Sequence, residues 1–145
     1  MLKFKVLLLL SVTIACSSWA QKPVQWTWSY DNDNKALCFK VDLADGWHLY
    51  SQHVSNEIGP VPTQFIFEPA EGITLEGEVH EPVPIQKYDP NFEANLDFFE
   101  KEAVFTQRIK GEKGEVKGSI TYMVCNETMC LPPVDLPFVI TLDKN

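Results

Sequence analysis

Two cysteines near the C-terminal end are the residues of this chain best suited to chemistry. Cys125 and Cys130 enclose the four residues Asn-Glu-Thr-Met, and strand-like segments lie before and after them. The chain therefore reverses between the two thiols, and such a reversal brings the flanking positions within the distance that a disulfide can bridge. In an oxidising compartment this spacing predicts a Cys125–Cys130 disulfide.

The size of the closed loop bears on the role of that bond. A six-residue loop removes unfolded-chain entropy worth only about 2 kcal/mol in the chain-entropy model. A bridge confined to one hairpin can open while the rest of the domain stays folded, which is what a redox carrier requires. Secreted domains also commonly carry inert bridges. The spacing leaves open both a redox-active pair and a structural disulfide in a secreted binding module.

Soft sulfur atoms near the pair permit a third interpretation. Met123 and Met129 stand beside the cysteines, and His48, His53 or His80 could complete a copper(I) site in an extracytoplasmic protein. Methionines beside a hairpin more often pack than bind metal. A soft-metal carrier is therefore kept as an alternative, while no cofactor is expected in the redox interpretation.

The first 20 residues have the pattern of a secretory signal peptide. Two lysines precede an apolar stretch from residue 6 to 15, and Ser18-Trp-Ala20 forms a small-x-small cleavage site. We expect cleavage after Ala20, one domain over residues 21–145, and a periplasmic or otherwise secreted location. Lipidation at Cys16 is the alternative.

Cys38 is the cysteine left over once Cys16 is assigned to the leader. It alternates along its segment with Leu37, Phe39 and Val41, so it faces away from these apolar side chains. We expect a free thiol that packs as a small apolar residue.

Length and charge exclude several classes of protein. The chain has 145 residues, of which 45% are hydrophobic, and a formal net charge of −8. That length supports one core of ordinary size and excludes a two-domain enzyme. The acidic balance opposes a phosphate-binding surface, so nucleic acid is not an expected partner. After the leader, no apolar run reaches the length of a membrane span, so membrane contact is expected only through a partner or a lipid.

The pattern along the chain is typical of an all-β protein. Ten prolines and seven glycines separate short segments in which apolar and polar residues alternate. This predicts an antiparallel, immunoglobulin-like sandwich of two sheets. Clusters at 31–34 and 111–114 are predicted hairpin turns, and the acidic, proline-rich stretch 81–96 is predicted to be a long surface loop and a candidate lid. The predicted strands cover residues 25–30, 35–43, 47–51, 63–68, 73–78, 99–109, 118–125 and 134–142.

Three segments resemble the N-terminal periplasmic domain of the thiol:disulfide interchange protein DsbD. Tyr122-Met-Val-Cys-Asn-Glu-Thr-Met-Cys-Leu-Pro-Pro133 is similar to the paired-cysteine signature of that family. Asp45-Gly-Trp-His-Leu-Tyr50 resembles its aromatic strand, and Leu96-Asp-Phe-Phe-Glu-Lys-Glu-Ala-Val-Phe105 resembles its cap loop followed by a strand. The resemblance covers most of the chain after the leader and implies an immunoglobulin-like carrier of the protein-disulfide reductase type.

The resemblance also implies roles and partners for the cysteine pair. Cys130 would form mixed disulfides with partners, and Cys125 would resolve them. The implied partners are a thioredoxin-like domain and a membrane electron-transfer protein, both acting in trans, together with periplasmic disulfide-bonded proteins. The same resemblance suggests a link to cytochrome c biogenesis.

The resemblance further implies which residues line the site. Phe98, or alternatively Phe99, would match the cap aromatic that shields the pair, with Asp97 next to the cap. His48 and Tyr50 would match the aromatic residues that line the site. Strand alternation lets only one of the two adjacent phenylalanines face the core, so the other is free to cover the disulfide.

Overall fold

The computed structural model describes residues 22–55, 57 and 59–142, and within those ranges the chain forms eleven β-strands and no helix. None of the described residues therefore forms a helix long and apolar enough to cross a membrane. The all-β prediction is confirmed. The predicted signal peptide, its cleavage after Ala20 and the alternative lipidation at Cys16 lie outside the described residues.

The strands are connected by short segments and occupy most of the described chain. They are β1 (Val24–Asp31), β2 (Ala36–Leu43), β3 (His48–Tyr50), β4 (Gln64–Phe67), β5 (Thr74–His80), β6 (Ile85–Asp89), β7 (Ala94–Glu100), β8 (Glu102–Lys110), β9 (Gly114–Tyr122), β10 (Val124–Cys125) and β11 (Val134–Leu142).

These strands pair in three antiparallel sheets. The two layers of the immunoglobulin-like sandwich have the orders β1-β2-β8-β5 and β11-β9-β4. A third sheet has the order β10-β3-β7-β6. It includes Cys125 in β10 and the aromatic residues of β3 and β7. It contributes Leu49, Phe99 and Val124 to the main core, so its position is fixed by the same apolar cluster that joins the two layers.

Period-two alternation explains how β2 anchors that core. Leu37, Phe39 and Val41 are fully buried, whereas Cys38 between them is half-buried on the opposite face and has a free thiol. The predicted alternation around Cys38 is thus confirmed. Burial, and secondarily the charge of Asp31, raises the pKa of the Cys38 thiol, which disfavours its reactive thiolate form.

Aromatic rings join the two layers of the sandwich. Phe39 of β2 lies with its ring centroid 4.9 Å from that of Phe65 of β4 and 4.9 Å from that of Phe138 of β11. These tilted and edge-to-face contacts between opposite layers add to the burial of apolar area. Phe39 is therefore central to the packing of the domain.

The predicted strand over residues 99–109 is wrong in one respect, because it is two strands in different sheets. The chain turns a corner at Lys101, which has φ 65°, between β7 of the third sheet and β8 of the first. The predicted strand over 118–125 is likewise divided at Met123 into β9 and β10. Neither corner has the glycine that usually marks a left-handed or broken position.

The predicted loop over residues 81–96 is also wrong. It contains β6 and the beginning of β7, which form a hairpin with a tight turn at residues 90–93. Pro84 and Pro90 stand immediately outside β6 and do not interrupt its backbone pairing. The strand was concealed because it lies at a sheet edge and four of its five residues are exposed, which removes the alternation of apolar and polar side chains.

One of the two predicted turns is a hairpin and the other is not. At residues 31–34 the carboxylate of Asp31 accepts hydrogen bonds from the backbone N–H groups of Asp33 and Asn34, and the turn joins the paired strands β1 and β2. The turn at 111–114 instead carries the chain from β8 in one layer to β9 in the other.

We expect Phe39→Ala to lower the free energy of unfolding by about 3–5 kcal/mol, since it leaves a cavity among aromatic rings. Val104→Ala is the control, because Val104 lies on the neighbouring strand opposite Lys40 and is 43% exposed. Its effect should stay within about 0.5 kcal/mol. Urea unfolding followed by tryptophan fluorescence measures both, and similar losses in the two variants would contradict this view of the core.

Candidate functional site

The two C-terminal cysteines form a disulfide at the edge of the third sheet. Cys125 ends β10 and Cys130 lies in the connection to β11, with their Cα atoms 4.0 Å apart. The side-chain oxygen of Asn126 accepts hydrogen bonds from the backbone N–H groups of Thr128 and Met129, each at 2.9 Å. This Asx turn explains why the sequence between the cysteines reverses the chain.

The two cysteines of the bridge differ in exposure. Cys125 is completely buried, whereas Cys130 is half-buried. Around Cys130, Met129 is 47% exposed and Val134 is 40% exposed, and the two intervening prolines are exposed as well. A partner thiol can therefore approach the bond only from the Cys130 side, over an apolar surface.

A second apolar cluster, separate from the main core, surrounds the disulfide. Its buried members are Tyr50, Phe98, Met123 and Cys125. Phe92, Leu96 and Cys130 are among the partly buried residues packed against it. We call this set the disulfide cluster.

Three polar side chains are buried at the border of the disulfide cluster. The hydroxyl of Tyr50 donates a hydrogen bond to Asp89 Oδ2 at 2.5 Å, and His48 Nε2 lies 3.0 Å from the same oxygen. His48 Nε2 is also 3.0 Å from the Tyr50 hydroxyl. The other carboxylate oxygen of Asp89 accepts a 2.8 Å bond from the backbone N–H of Asn91. The Asp89 carboxylate is therefore bonded on both oxygens.

Opposing effects set the protonation of this group. Burial raises the pKa of Asp89, but hydrogen bonds from Tyr50, from the Asn91 backbone and from His48 outweigh it, so the net pKa is lowered. Burial together with the hydrogen bond to Asp89 raises the pKa of Tyr50. At neutral pH the buried polar group accordingly contains an ionised Asp89 and a protonated Tyr50 hydroxyl.

The hairpin of β6 and β7 curls over the face of β3 to reach these residues. Asp89 pairs with Ala94, four residues before the Phe98 that pairs with Tyr50. In a flat sheet Asp89 would lie about 13 Å along the strand direction from Tyr50, yet their side chains are hydrogen-bonded. The hairpin is therefore bent back across the disulfide cluster.

The tip of this hairpin, residues 90–93, contacts the disulfide loop. The side-chain amide of Asn91 donates a 2.7 Å hydrogen bond to the backbone oxygen of Asn126. The ring centroid of Phe92 lies 5.9 Å from that of Tyr50, edge to face. These contacts hold the hairpin tip against the disulfide loop and the disulfide cluster.

Another buried carboxylate fixes the segment that leads into β6. Glu81, whose side chain is 8% exposed, accepts a 2.6 Å bond from the Ser51 hydroxyl and a 2.9 Å bond from the Gln52 backbone N–H. Both donors directly follow β3. β6 is thus tied to β3 or to the residues directly after it, at its beginning through Glu81 and at its end through Asp89. The hairpin tip lies beyond these two ties.

Some of the residues expected in the site are brought together and others are not. His48, Tyr50 and Phe98 share one face with Cys125, and the His48 and Phe98 rings are stacked with centroids 4.5 Å apart. Asp97 and Phe99 lie on the opposite face of β7, so the expectation that they line the site is corrected. Phe99 belongs to the main core, and the Asp97 side chain accepts a hydrogen bond from Gln86. Phe98 itself lies within a strand rather than in a loop.

Two residues of the site were missed from sequence. Asp89 supplies the buried carboxylate, and Phe92 supplies the aromatic ring of the hairpin tip. The available signals were the Asp-Pro-Asn turn sequence at 89–91 and the single aromatic residue within the turn that follows.

A cavity of about 220 Å³ opens beside the buried polar group. Its walls include His48, Asp89 and Phe98, with Trp47 and Glu127 at its border. Among the described residues, no three or more His, Cys, Asp or Glu side chains are grouped so as to hold a metal ion. The two cysteine sulfurs are bonded to each other and so present no thiolate to a metal in this state.

Comparison with known proteins assigns this arrangement to a family. The sequence profile of the family described as "Thiol:disulfide interchange protein DsbD, N-terminal" matches residues 18–140. The structure is similar to the reduced N-terminal domain of DsbD from Neisseria meningitidis, with a TM-score of 0.61 and 21% identity, covering 82% of this chain and 85% of that one. It is also similar to the N-terminal periplasmic domain of ScsB from Proteus mirabilis, with a TM-score of 0.54 and 20% identity, covering 83% of this chain and 45% of that one. No curated protein matches the chain significantly.

We expect Tyr50→Phe to raise the pKa of Asp89, because the carboxylate stays buried but loses its shortest hydrogen bond. The lowered pKa of Asp89 in the folded state stabilises the fold above the ordinary aspartate pKa of about 4, and this stability is lost as pH falls through the folded pKa. Tyr50→Phe should therefore cost about 1.5–3 kcal/mol at pH 7 and less at pH 2.

Urea unfolding between pH 2 and pH 7, with carbon-13 NMR titration of the Asp89 carboxyl, measures both effects. Tyr88→Phe is the matched control, since Tyr88 is 56% exposed in the same hairpin. An equal loss of stability at both pH values would show that the Tyr50 hydroxyl does not act through Asp89.

Proposed function

The chain belongs to the family of the N-terminal domain of the thiol:disulfide interchange protein DsbD, and we propose that it performs thiol–disulfide exchange outside the cytosol. One observation carries this proposal. The Cys125–Cys130 disulfide has one completely buried and one half-buried cysteine beneath a hairpin tip held by few contacts. A purely structural bridge would need neither the difference in exposure nor the cover.

In the proposed reaction the reduced domain transfers two electrons to a disulfide-bonded protein. The Cys130 thiolate attacks one substrate sulfur and forms a mixed disulfide, while the other substrate sulfur leaves as a thiolate and takes a proton. Cys125 then loses its proton and attacks Cys130 Sγ. The Cys125–Cys130 bond forms, the bond between Cys130 and substrate breaks, and the reduced substrate leaves. The exposure of Cys130 supports its role as the attacking cysteine, and the burial of Cys125 supports the resolving role.

The proposed partners follow from the family and from the surface around Cys130. A thioredoxin-like domain, which receives electrons from a membrane electron-transfer protein in trans, would reduce the cysteine pair. Periplasmic disulfide-bonded proteins would then accept the electrons of the reduced pair. Met129 and Val134 with the prolines between them form an exposed apolar rim suited to such docking.

We further propose that residues 1–20 direct export and that residues 21–145 form the mature domain in the periplasm. The link to cytochrome c biogenesis remains part of this proposal.

The hairpin tip is proposed to be the cap of the site. It covers the disulfide through Phe92 and the bond from Asn91 to Asn126. Opening it breaks these contacts without disturbing the main core, to which the tip contributes no residue. Phe98, which the sequence suggested as the cap aromatic, forms the wall beneath it.

In a Cys38→Ser background, we expect Cys125→Ser to accumulate a mixed disulfide through Cys130 with a thioredoxin-like domain that lacks its own resolving cysteine and whose remaining cysteine carries thionitrobenzoate as a mixed disulfide. The Cys130 thiolate attacks that cysteine's sulfur, and thionitrobenzoate leaves. Cys130→Ser should form none, because Cys125 is completely buried. Non-reducing electrophoresis with peptide mapping measures both, and the Cys38→Ser protein is the control that keeps full exchange. Adducts through Cys125 would reverse the two roles. A wild-type disulfide that resists the reduced partner until the protein unfolds would favour the inert bridge.

We expect Phe92→Ala to speed reduction of the disulfide by dithiothreitol severalfold while lowering the free energy of unfolding by only about 1 kcal/mol, since Phe92 is half-buried. Phe98→Ala should instead cost about 3–5 kcal/mol, because Phe98 is 2% exposed. Phe67→Ala is the matched control, a half-buried phenylalanine of β4 outside the disulfide cluster. An unchanged reduction rate in Phe92→Ala would remove the hairpin tip as the cap.

A further inference from the structure

His48 lies directly across the β-ladder from Cys125. The two residues are paired between β3 and β10, so their side chains leave the same face of the sheet with Cβ atoms about 5 Å apart. Both are buried, His48 at 7% exposure and Cys125 at 0%. The imidazole is therefore the titratable ring adjacent to the cysteine that must resolve the mixed disulfide.

In the resolving step Cys125 requires a proton acceptor, and His48 is placed to be one. Cys125 reacts as a thiolate, and a completely buried thiol has no water beside it to take its proton. Burial also disfavours the charged thiolate. A proton acceptor on the same face removes both difficulties, because proton transfer then occurs locally as the sulfur attacks.

The hydrogen bonds of His48 fix the tautomer that this role requires. Asp89 is ionised and can only accept, so the 3.0 Å contact from His48 Nε2 to Asp89 Oδ2 is a donated N–H. The remaining ring nitrogen, Nδ1, is then the one that carries the lone pair. Together Cys125, His48 and Asp89 follow the order of a thiol, a base and a carboxylate that orients the base.

Charged groups from every neighbouring element face the same cavity. Asp89 and Lys87 come from β6, and Glu100, the ladder partner of His48, comes from β7. Asp45, Lys101 and Glu127 complete the charged part of the wall, beside the hydroxyl groups of Tyr50 and Tyr88. Four carboxylates thus face two ammonium groups, and a positive charge on His48 would be compensated.

We propose that His48 accepts the proton of Cys125 during the resolving step, with Asp89 and Tyr50 positioning the imidazole. The inference rests on the proposed function and specifies how that site works. The Cys125 S–H proton moves to His48 Nδ1, and the electron pair left on sulfur forms the bond to Cys130 Sγ. The bond between Cys130 and the partner sulfur breaks, and the partner sulfur leaves with the electron pair of the broken bond. The leaving thiolate then takes a proton from the His48 imidazolium or from water.

The reagent 5,5′-dithiobis(2-nitrobenzoate) separates the two steps. One equivalent added to the reduced Cys38→Ser protein releases one thionitrobenzoate on attack and a second when Cys125 closes the ring, and both are followed by absorbance. We expect His48→Gln to slow the second release at least tenfold at pH 7. The wild-type rate should depend on pH through the imidazole as well as the thiol, whereas in His48→Gln the rate should rise only with ionisation of the thiol.

Chemical rescue distinguishes proton transfer from a packing role. His48→Ala enlarges the cavity of about 220 Å³ beside the ring, and added imidazole should restore the second release in it. Added imidazole should not speed the second release in Phe98→Ala, which keeps His48 and opens space beside the same ring. His53→Gln is the matched control, because the His53 side chain is 70% exposed, and it should keep the wild-type rate and pH profile. The wild-type pH profile provides a test that does not depend on whether the variants fold.

The possible outcomes separate the inference from the proposed function. If the wild-type protein releases both equivalents and the His48 variants keep its rate and pH profile, His48 is not the acceptor and the proposed function stands. A slow His48 variant with an unchanged pH profile and no rescue by imidazole also overturns the inference. A wild-type protein that never releases the second equivalent overturns the proposed function itself.

Discussion

The two-residue period of β3 is the constraint on which the site depends. Leu49 points into the main core, while His48 and Tyr50 on either side of it point into the disulfide cluster and its polar border. The same division applies to β7, where Phe99 enters the core and Phe98 faces the disulfide. Each strand that carries the site is thus held from behind by the packing of the sandwich. In the proposed function, the disulfide would open and close without requiring these strands to move.

A single buried carboxylate connects β3 with the hairpin tip that we propose as the cap. Asp89 is the last residue of β6, and its oxygens are shared between β3 side chains and the backbone of the hairpin tip. The donors make the ionised form more favourable than burial alone would allow. Since a buried charge is costly to leave unpaired, the hairpin keeps this end fixed. The tip beyond it contacts the disulfide loop through Asn91 and the ring of Tyr50 through Phe92.

The parts of the fold that could be predicted from sequence are those with local signals. The cysteine spacing and the alternation around Cys38 depend on neighbouring residues, and both are found as expected. Asp89 and Phe92 could not be placed, because β6 is an exposed edge strand without apolar alternation and reaches the site only through a bend in the hairpin. The corner at Lys101 was concealed because lysine gives no sign of a left-handed backbone. Sequence reasoning therefore located the disulfide and its rigid wall, and tertiary structure was needed to locate the cover.

The edge position of β6 also affects how copies of this domain behave beside one another. An edge strand exposes unpaired backbone groups to which a strand from another molecule can add, and β6 exposes Ile85 and Tyr88 as well. Its length is only five residues, bounded by Pro84 and Pro90, neither of which can donate to a growing ladder. The charged Lys87 stands at its centre. These features limit strand addition at the hairpin whose tip we propose to open, so that opening would expose the disulfide without recruiting a second copy into an aggregate.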